Sequence, residues 1–390
     1  MEPLTSRALE RRLKRHVMKE RHDFLAVAAP GFERVLLAEV ESLPDVTDAR
    51  AVRGGVEFRG PFTTVYHANL RLATAHRVLW RVAEFLAQSH PMLYNKAGAL
   101  PWERFLGFHK TVRFHVSSRG SKLHHPQKVA ETLLAAANRA LNPLGLAAEA
   151  AEDAPLTVHA RLFRDRCTLS VDTSGEHLHR RGYRLHVGEA PIRETLAAGV
   201  LKTVSLEDYD LIVDPMCGSG TFVLEAARLL GHVAPGKDRA FAFEHLPSFQ
   251  PTLWERLKRE AAAREVPVAA TVLGFDRDAR VLTAARANAE RAGVAGAAEF
   301  GVADALTLPY NALRAGYERP LLVSNPPYGK RLESGGARGL YADLAGALRE
   351  APGWTVALLT PHPGWVPLAV DERLAFSSGG GDVTLLVGHT

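Results

Sequence analysis

Cysteine is scarce in this sequence, which contains only Cys167 and Cys217, far apart in the chain. Two isolated thiols exclude a disulfide framework and a zinc site built on repeated Cys-x-x-Cys pairs. No run of about 18 apolar residues occurs, so we expect no membrane span. The first 22 residues carry seven Lys/Arg against three Glu and lack an apolar core segment, which argues against a secretory signal. These absences favour a soluble protein of the reducing cytoplasm.

Charge is distributed unevenly along the 390 residues. Residues 190–390 hold 20 Lys/Arg and 23 Asp/Glu, which leaves 28 and 20 for residues 1–189. The net charge is therefore +8 in the amino-terminal half and −3 in the remainder. Lysine and arginine make the phosphate contacts that dominate nucleic-acid affinity, so a polyanion-binding module would produce this asymmetry. A basic surface that is merely solvated would produce it equally well.

The amino-terminal half reads as a succession of small α+β patterns. Residues 1–22 form a basic arm or polar helix, either solvated or ordered on RNA. A strand, a helix and a second strand indicate a ferredoxin-like unit over 23–60, completed by part of the segment that follows. Periodicity then predicts a helix over 62–86.

Basic groups cluster on one exposed face of the next segment. The strand 112–116 alternates, so its apolar residues should face inward while Arg113 and His115 face solvent. The loop that follows adds cations and hydroxyl groups without a carboxylate. We expect Arg113, Arg119 and Lys122 to contact RNA.

Residues 173–200 form a connector in which arginines and histidines flank an aromatic residue. These cations either contact a nucleic-acid backbone or pack two domains together. The candidates for RNA contact are Arg180, Arg181 and Arg184.

From Leu211 onward the chain alternates between strand and helix patterns. This order predicts an α/β domain over 201–390, with a mostly parallel sheet and helices on both faces. The final two strands lie too close for a crossover helix and should form an antiparallel hairpin. The expected strands are 211–213, 268–274, 298–302, 321–323, 355–359, 374–376 and 383–387.

A glycine turn at 214–222 follows the first of these strands and opens a helix, so free amide groups face any ligand there. Thr221 stands where a Walker-type loop needs lysine, and the next strand-end acid comes too late for a dinucleotide site. Asp276 and Asp304 end the second and third strands and supply carboxylates for a ribose diol and an adenine amine. S-adenosylmethionine (SAM) needs both acids, and the turn could take its amino-acid end.

The fourth strand ends in the motif Asn-Pro-Pro-Tyr, at the edge where an open α/β sheet binds its ligands. Asn325 offers a carbonyl acceptor, Pro326 a second carbonyl, and Tyr328 a planar face. Two consecutive prolines hold these acceptors stiffly. The set suits an exocyclic amine on a flat base, and neither guanine nor adenine is singled out by it.

The glycine turn together with Asn325–Tyr328 resembles the class I SAM-dependent amino-methyltransferases. The connector 178–184, the helix 191–201, the insertion 239–244 with Trp254, and the string 325–332 are similar to the THUMP-domain RNA guanine N2-methyltransferases. The resemblance implies a Rossmann-like domain preceded by a ferredoxin-like unit and an RNA-binding THUMP domain over 61–172. It implies that Asn325 and Tyr328 hold the target base, with Pro326 as second acceptor. The residues expected on the cofactor side are Asp214, Cys217, Gly218, Gly220, Thr221, Phe222, Asp276, Asp304 and Asn325.

The expected reaction is methyl transfer to the N2 amine of a guanosine in ribosomal or transfer RNA, with the base flipped out and aimed rather than deprotonated. No covalent step is expected, because Cys217 lies on the cofactor turn. We expect a monomer without metal. The alternatives are an adenine-N6 methyltransferase acting on DNA or RNA and a non-catalytic RNA-binding assembly factor.

Overall fold

The computed structural model describes residues 16–107, 109–184, 192–327, 336–378 and 381–390. Two β-sheets organise these residues, one in each half of the chain. Within the described ranges no helix is both long and apolar enough to cross a bilayer. Several predicted features lie outside the described residues. They are residues 1–15 of the basic arm, Pro191, and residues 328–332 of the Asn-Pro-Pro-Tyr string, which include Tyr328.

The amino-terminal half is built on an eight-stranded sheet flanked by helices. Most neighbouring strands pair antiparallel, whereas the two pairs nearest one edge are parallel. Its elements are β1 (Arg21–Val27), α1 (Glu33–Glu41), β2 (Thr47–Val52), β3 (Gly55–Pro61), α2 (Thr64–Arg71), β4 (Arg77–Leu86), α3 (His90–Ala97), β5 (Thr111–Arg119), α4 (Pro126–Leu141), β6 (Glu149–Ala150), β7 (Thr157–Phe163) and β8 (Arg166–Asp172).

The strand order of this sheet is β2-β3-β1-β4-β8-β7-β5-β6. The first four strands with α1 and α2 form a ferredoxin-like βαββαβ unit, and the other four continue the same sheet. The unit therefore extends past residue 60, because β4 completes it.

The single helix predicted over 62–86 is wrong in its second half. The helix ends at Arg71, and β4 pairs with β1 on one side and with β8 on the other. Val78 and Trp80 are buried between half-exposed neighbours, which is the period-two pattern of a strand. Apolar residues occur on both faces of the Arg77–Leu86 strand, so the alternation was not apparent in the sequence and a helix was predicted instead.

The carboxyl-terminal half is a seven-stranded sheet, and all seven expected strands are confirmed. Five strands are parallel, and the final hairpin pairs antiparallel, as expected. Its elements are α5 (Glu194–Thr203), β9 (Leu211–Asp214), α6 (Thr221–Leu230), α7 (Pro251–Ala262), β10 (Thr271–Asp276), α8 (Ala279–Arg291), β11 (Glu299–Val302), α9 (Tyr310–Leu313), β12 (Pro320–Ser324), α10 (Gly336–Arg349), β13 (Thr355–Thr360), β14 (Glu372–Ser377) and β15 (Asp382–His389).

The strand order of this sheet is β11-β10-β9-β12-β13-β15-β14. The first three strands in sequence, β9 to β11, are added toward one edge and the later strands toward the other, so the order of addition reverses between β9 and β12. Successive crossovers place helices on both faces, so apolar side chains cover the sheet on both sides. In such a sheet a ligand binds outside the carboxyl ends of the strands at the point of reversal. The fold therefore places the site at the ends of β9, β10 and β12.

An aromatic cluster joins the two halves. Tyr66 on α2 packs against Phe243 and Trp254, with ring centroids 4.9 and 6.0 Å apart. The Tyr66 hydroxyl accepts a hydrogen bond from the backbone amide of Gln250. All three rings are buried, so the segment inserted between α6 and β10 fastens the seven-stranded sheet to the ferredoxin-like unit.

Candidate active site

A cleft of about 400 Å³ lies at the carboxyl ends of the parallel strands. It brings together four of the residues expected from the sequence, Gly218, Asp276, Asp304 and Asn325. Sequence reasoning missed other residues that line the same space. They include Met216, Arg277, Leu306, Leu340 and Asp343.

The glycine turn that follows β9 forms one wall of the cleft. Gly218 and Gly220 have φ angles of +53° and +89°, in the region where side chains other than glycine are strained. The Gly218 amide donates to Oδ2 of Asp276 at 3.0 Å, which fixes the turn against the end of β10. A Cβ on Gly220 would lie 3.1 Å from the Phe300 ring, so this turn also has little space behind it.

Two carboxylates border the cleft from neighbouring strand ends. Asp276 accepts from the amides of Gly218 and Asp278, one on each oxygen, and each oxygen keeps a lone pair for a ligand. Asp304 accepts from the Leu306 amide at 2.9 Å and is otherwise exposed. The Ala303 amide donates to the Asp276 carbonyl, which links the two ends. Two acceptors are thus held in fixed positions.

Asp214 supports the cleft from below and does not line it. Its Oδ1 accepts from the Ser324 hydroxyl at 2.8 Å and from the Met216 amide at 3.1 Å. Burial raises the pKa of Asp214 to about 7, opposed by these two hydrogen bonds. Ser324 directly precedes Asn325, so the carboxylate ties the glycine turn to the amide motif.

Asn325 presents a buried acceptor beside the two acids. Its Oδ1 has no hydrogen-bond partner among the described residues. Leaving a buried acceptor unpaired costs about 1–3 kcal/mol, so its retention fits a ligand donor at this position. The carbonyl of Pro326 lies 3.5 Å from the hydroxyl of Tyr341, which also donates to Leu359 at 2.9 Å. The acceptor pair expected from the sequence is therefore held on a rigid frame.

Three residues expected on the cofactor side lie behind the cleft wall instead. The Cys217 thiol is buried, and burial raises its pKa well above the usual value, so it is a poor nucleophile. Thr221 accepts from Nη1 of Arg184 at 2.9 Å. Phe222 is part of the hydrophobic core under the sheet. These side chains pack the turn, because a helix that starts at Gly220 directs them inward.

Two of the arginines expected to bind RNA are structural. Arg181 is only 2% exposed and forms a buried ion pair with Glu225, and Tyr183 donates to the same carboxylate at 2.8 Å. Arg184 is 10% exposed and pairs with Glu194 at 3.1 Å. The RNA contact predicted for both is wrong, because their guanidinium groups form ion pairs that hold the connector against α5 and α6. Domain packing was the other role left open for these cations, but the sequence did not identify their acidic partners, Glu225 and Glu194, which lie on α6 and α5.

The remaining basic candidates are accessible. Arg180 is exposed and pairs with Glu176, and Arg119 and Lys122 are exposed at the end of β5. Arg113 is partly buried, and its guanidinium donates to Thr157 and to the backbone of Glu152. Among the described residues no group of three or more His, Cys, Asp or Glu could hold a metal ion.

Comparison with known families agrees with this geometry. The profile of the family described as "RMKL-like, methyltransferase domain" matches residues 181–371, and that of the "RlmL ferredoxin-like domain" matches residues 23–79. Residues 181–371 are thus similar to the RMKL-like methyltransferase domain. The first profile covers the cleft and its connector, and the second covers most of the ferredoxin-like unit.

Relatives and solved structures extend the likeness over most of the chain. Ribosomal RNA large subunit methyltransferase K/L of Vibrio parahaemolyticus is 35% identical over 338 residues, 84% of this chain and 47% of the relative. SMU.472, a methyltransferase complexed with SAH, superposes with a TM-score of 0.84 at 28% identity, covering 95% of this chain and 99% of the other. A Listeria monocytogenes protein described as an N6-adenine-specific DNA methylase gives 0.84 at 29% identity, covering 96% and 97%. The chain spans about half the length of the curated relatives it matches.

Proposed function

We propose that this protein transfers a methyl group from SAM to an exocyclic amine of RNA, namely N2 of a guanosine. The observation that carries the proposal is the buried, unpartnered Oδ1 of Asn325 in a cleft shared with Asp276, Asp304 and the glycine turn. A base amine is the donor that such an acceptor lacks. The SAH complex of the similar structure SMU.472 supports the cofactor assignment.

The residues present fit SAM. Asp276 would accept from the ribose hydroxyl groups, Asp304 from the adenine amine, and the amides of the glycine turn would face the amino-acid end. Asp214 and Asp276 together give this edge a negative charge that complements a sulfonium. When bound, SAM supplies an electrophilic methyl group on that sulfonium.

The chain's own residues act on the target base by orientation. The amine of a base is a weak nucleophile because its lone pair is delocalised into the ring. Asn325 Oδ1 and the Pro326 carbonyl would accept hydrogen bonds from its two N–H groups and aim the lone pair along one direction. One N–H proton is released to solvent once the nitrogen carries the methyl group. Orientation of this kind supplies roughly 7–11 kcal/mol in favourable cases without a strong base. The buried Cys217 thiol is not suited to a covalent route.

RNA as the substrate class is supported by two observations. Residues 1–189 carry a net charge of +8 by sequence, which would favour binding of a polyanion. The curated Vibrio relative is named for ribosomal RNA. We extend the proposal to a THUMP-type RNA-binding unit in the part of residues 61–172 that follows β4, and to a monomeric, metal-free enzyme of the cytoplasm.

Adenine N6 is the second candidate for the target, because the same acceptor pair fits any aromatic amine. The similar Listeria monocytogenes protein, described as an N6-adenine-specific DNA methylase, favours it. A non-catalytic RNA-binding factor remains the alternative of another class, and the complete set of cleft residues speaks against it.

The test incubates the protein with methyl-tritiated SAM and, separately, unmodified ribosomal RNA, transfer RNA and duplex DNA. The methylated nucleoside is then identified by mass spectrometry. We expect N2-methylguanosine in RNA only. N6-methyladenosine would move the target to the second candidate, label confined to DNA would overturn the RNA assignment, and no label with any substrate would favour the binding factor.

A further inference from the structure

Histidines and arginines form a continuous patch where the eight-stranded sheet meets the connector and the start of α5. We name this patch the connector face. The rings of His115 and His159 on neighbouring strands lie 5.0 Å apart. The rings of His177 and His179 on the connector stack 5.5 Å apart with an interplanar angle of 23°. The connector face consists of His115, His159, His177, His179, Arg180 and Arg193.

The protein balances only part of the charge on this face: Asp172 Oδ2 lies 3.8 Å from Nε2 of His159. Asp172 is buried, is held by Arg77 and accepts from two backbone amides, and Glu176 is paired with Arg180. Within the described part of the chain, the Arg193 guanidinium and the His179 ring have no hydrogen-bond or ion-pair partner. An exposed cation without a counter-ion, beside a second cation, fits an external anion.

The histidines report the same positive field. The pKa of His179 is lowered to about 3 by burial first and then by Arg193 and neighbouring histidines. The pKa of His159 is lowered to about 3 by burial and then by Arg77, His115 and Arg113. Burial is the largest cause of both pKa shifts, and the neighbours that lower these two pKa values further are all arginines and histidines.

The connector face is tied to the helices of the carboxyl-terminal half. The connector reaches α6 through Arg184, whose guanidinium binds Thr221 at the first helical residue after the glycine turn. Arg193 immediately precedes α5, and its neighbour Thr195 hydrogen-bonds His76 at the start of β4 at 2.9 Å. Through these two contacts the connector face is held against α5 and α6, the helices that pack behind the cleft wall.

We propose that the connector face binds the backbone of the RNA strand that carries the target nucleotide, with Arg180 and Arg193 on phosphates and the stacked His177 and His179 rings against a base. The inference rests on the proposed function for the identity of the polymer. Alternating cations and flat rings are the pattern by which proteins hold single strands without reading sequence. The face thus delivers the strand, and the cleft selects the amine.

Fluorescence anisotropy with a short labelled single-stranded RNA, titrated at several salt concentrations without methyl donor, tests this proposal. The Arg180→Gln/Arg193→Gln variant should bind more weakly, and the slope of log K against log salt should become shallower by about 1.4, since each lost contact contributes about 0.7 for a single strand. The matched control is Arg256→Gln/Arg373→Gln, which removes two exposed arginines from α7 and β14 and should keep the slope of the unaltered protein.

Folding and cofactor binding are read separately from RNA binding. Arg193 is exposed and unpaired, so Arg193→Glu alone should keep the melting temperature and the SAM affinity of the unaltered protein. Its RNA binding should be weaker than that of the unaltered protein. Equal slopes for the test and control pairs would overturn the proposal and would leave the face to an acidic protein partner. Because anisotropy requires no methyl transfer, the result stands even if no methylated nucleoside is found, an outcome that would remove the proposed function alone.

Discussion

The charged groups of this protein behave differently in two regions. Where the connector packs against α5 and α6 some of them are buried and paired, as in Arg181 with Glu225, where both side chains are at most 3% exposed. On the outer face of the ferredoxin-like unit they are exposed and shared, as in Arg59, which lies near both Asp23 and Asp48. In a buried pair the loss of one partner is costly, because the other charge is left without a counter-charge. In an exposed pair solvent screens both charges. Residue type alone does not separate the two.

The largest expected effect is at the buried pair. Glu225→Gln keeps an acceptor for Tyr183 but leaves the Arg181 charge buried without a counter-charge, which should cost about 3–5 kcal/mol of unfolding free energy. Urea unfolding measures it. The double change Arg181→Met/Glu225→Met should recover part of the loss, and a double variant as unstable as the single one would contradict the burial argument.

The next effect concerns activity rather than folding. Asn325→Ala should lower methyl transfer to RNA by about 10²–10³-fold, as removal of one preorganised polar group does elsewhere. SAM affinity by calorimetry and the melting temperature should stay unchanged. Asn311→Ala, at an exposed asparagine that donates to the Glu350 carbonyl, is the matched control. A similar loss in both variants would remove Asn325 from the mechanism.

A smaller, pH-dependent effect should arise at Asp214. With a pKa of about 7, its carboxyl group is mostly neutral at pH 6 and ionised at pH 8. The ionised form attracts a sulfonium, so SAM affinity should rise with pH across this window, by less than about tenfold per pH unit. Calorimetry at pH 6, 7 and 8 measures it. Asp214→Asn should flatten the profile, and a profile unchanged by that substitution would show that another group titrates.

The smallest effect is expected on the outer face. Asp23→Asn removes a carboxylate whose ion pair with Arg59 has side chains 66% and 50% exposed. We expect a change below about 1 kcal/mol in unfolding free energy, decreasing further at high salt. Urea unfolding at two salt concentrations checks it, and a loss comparable to that of Glu225→Gln would erase the contrast between the two regions.

Local pattern was sufficient for much of the second half. The central strands of the seven-stranded sheet are apolar runs, and the rule that parallel strands end at one edge brings Asp276, Asp304 and Asn325 together. Tyr328, the expected stacking partner of the base, remains a prediction. The strands and the residues at their ends could be predicted because neighbouring residues determine them.

Prediction from the sequence failed where distant residues decide the outcome. The exposure of Arg181 depends on Glu225, 44 residues away, and the strand at β4 depends on partners on both sides. Asp343 reaches the cleft from α10 without any local signal. Cys217, Thr221 and Phe222 belong to the right turn but point into its packing, because a helix start divides its side chains between ligand and core.

The position of β4 limits how this protein can be divided. It forms hydrogen bonds with β1 on one edge and with β8 on the other, so the ferredoxin-like unit and the strands beyond it share one ladder. The matched ferredoxin-like segment ends at residue 79, inside Arg77–Leu86. A fragment cut at that boundary would bare an unpaired, apolar strand edge, which invites self-association. Fragments meant to stay monomeric should keep residues 21–172 together.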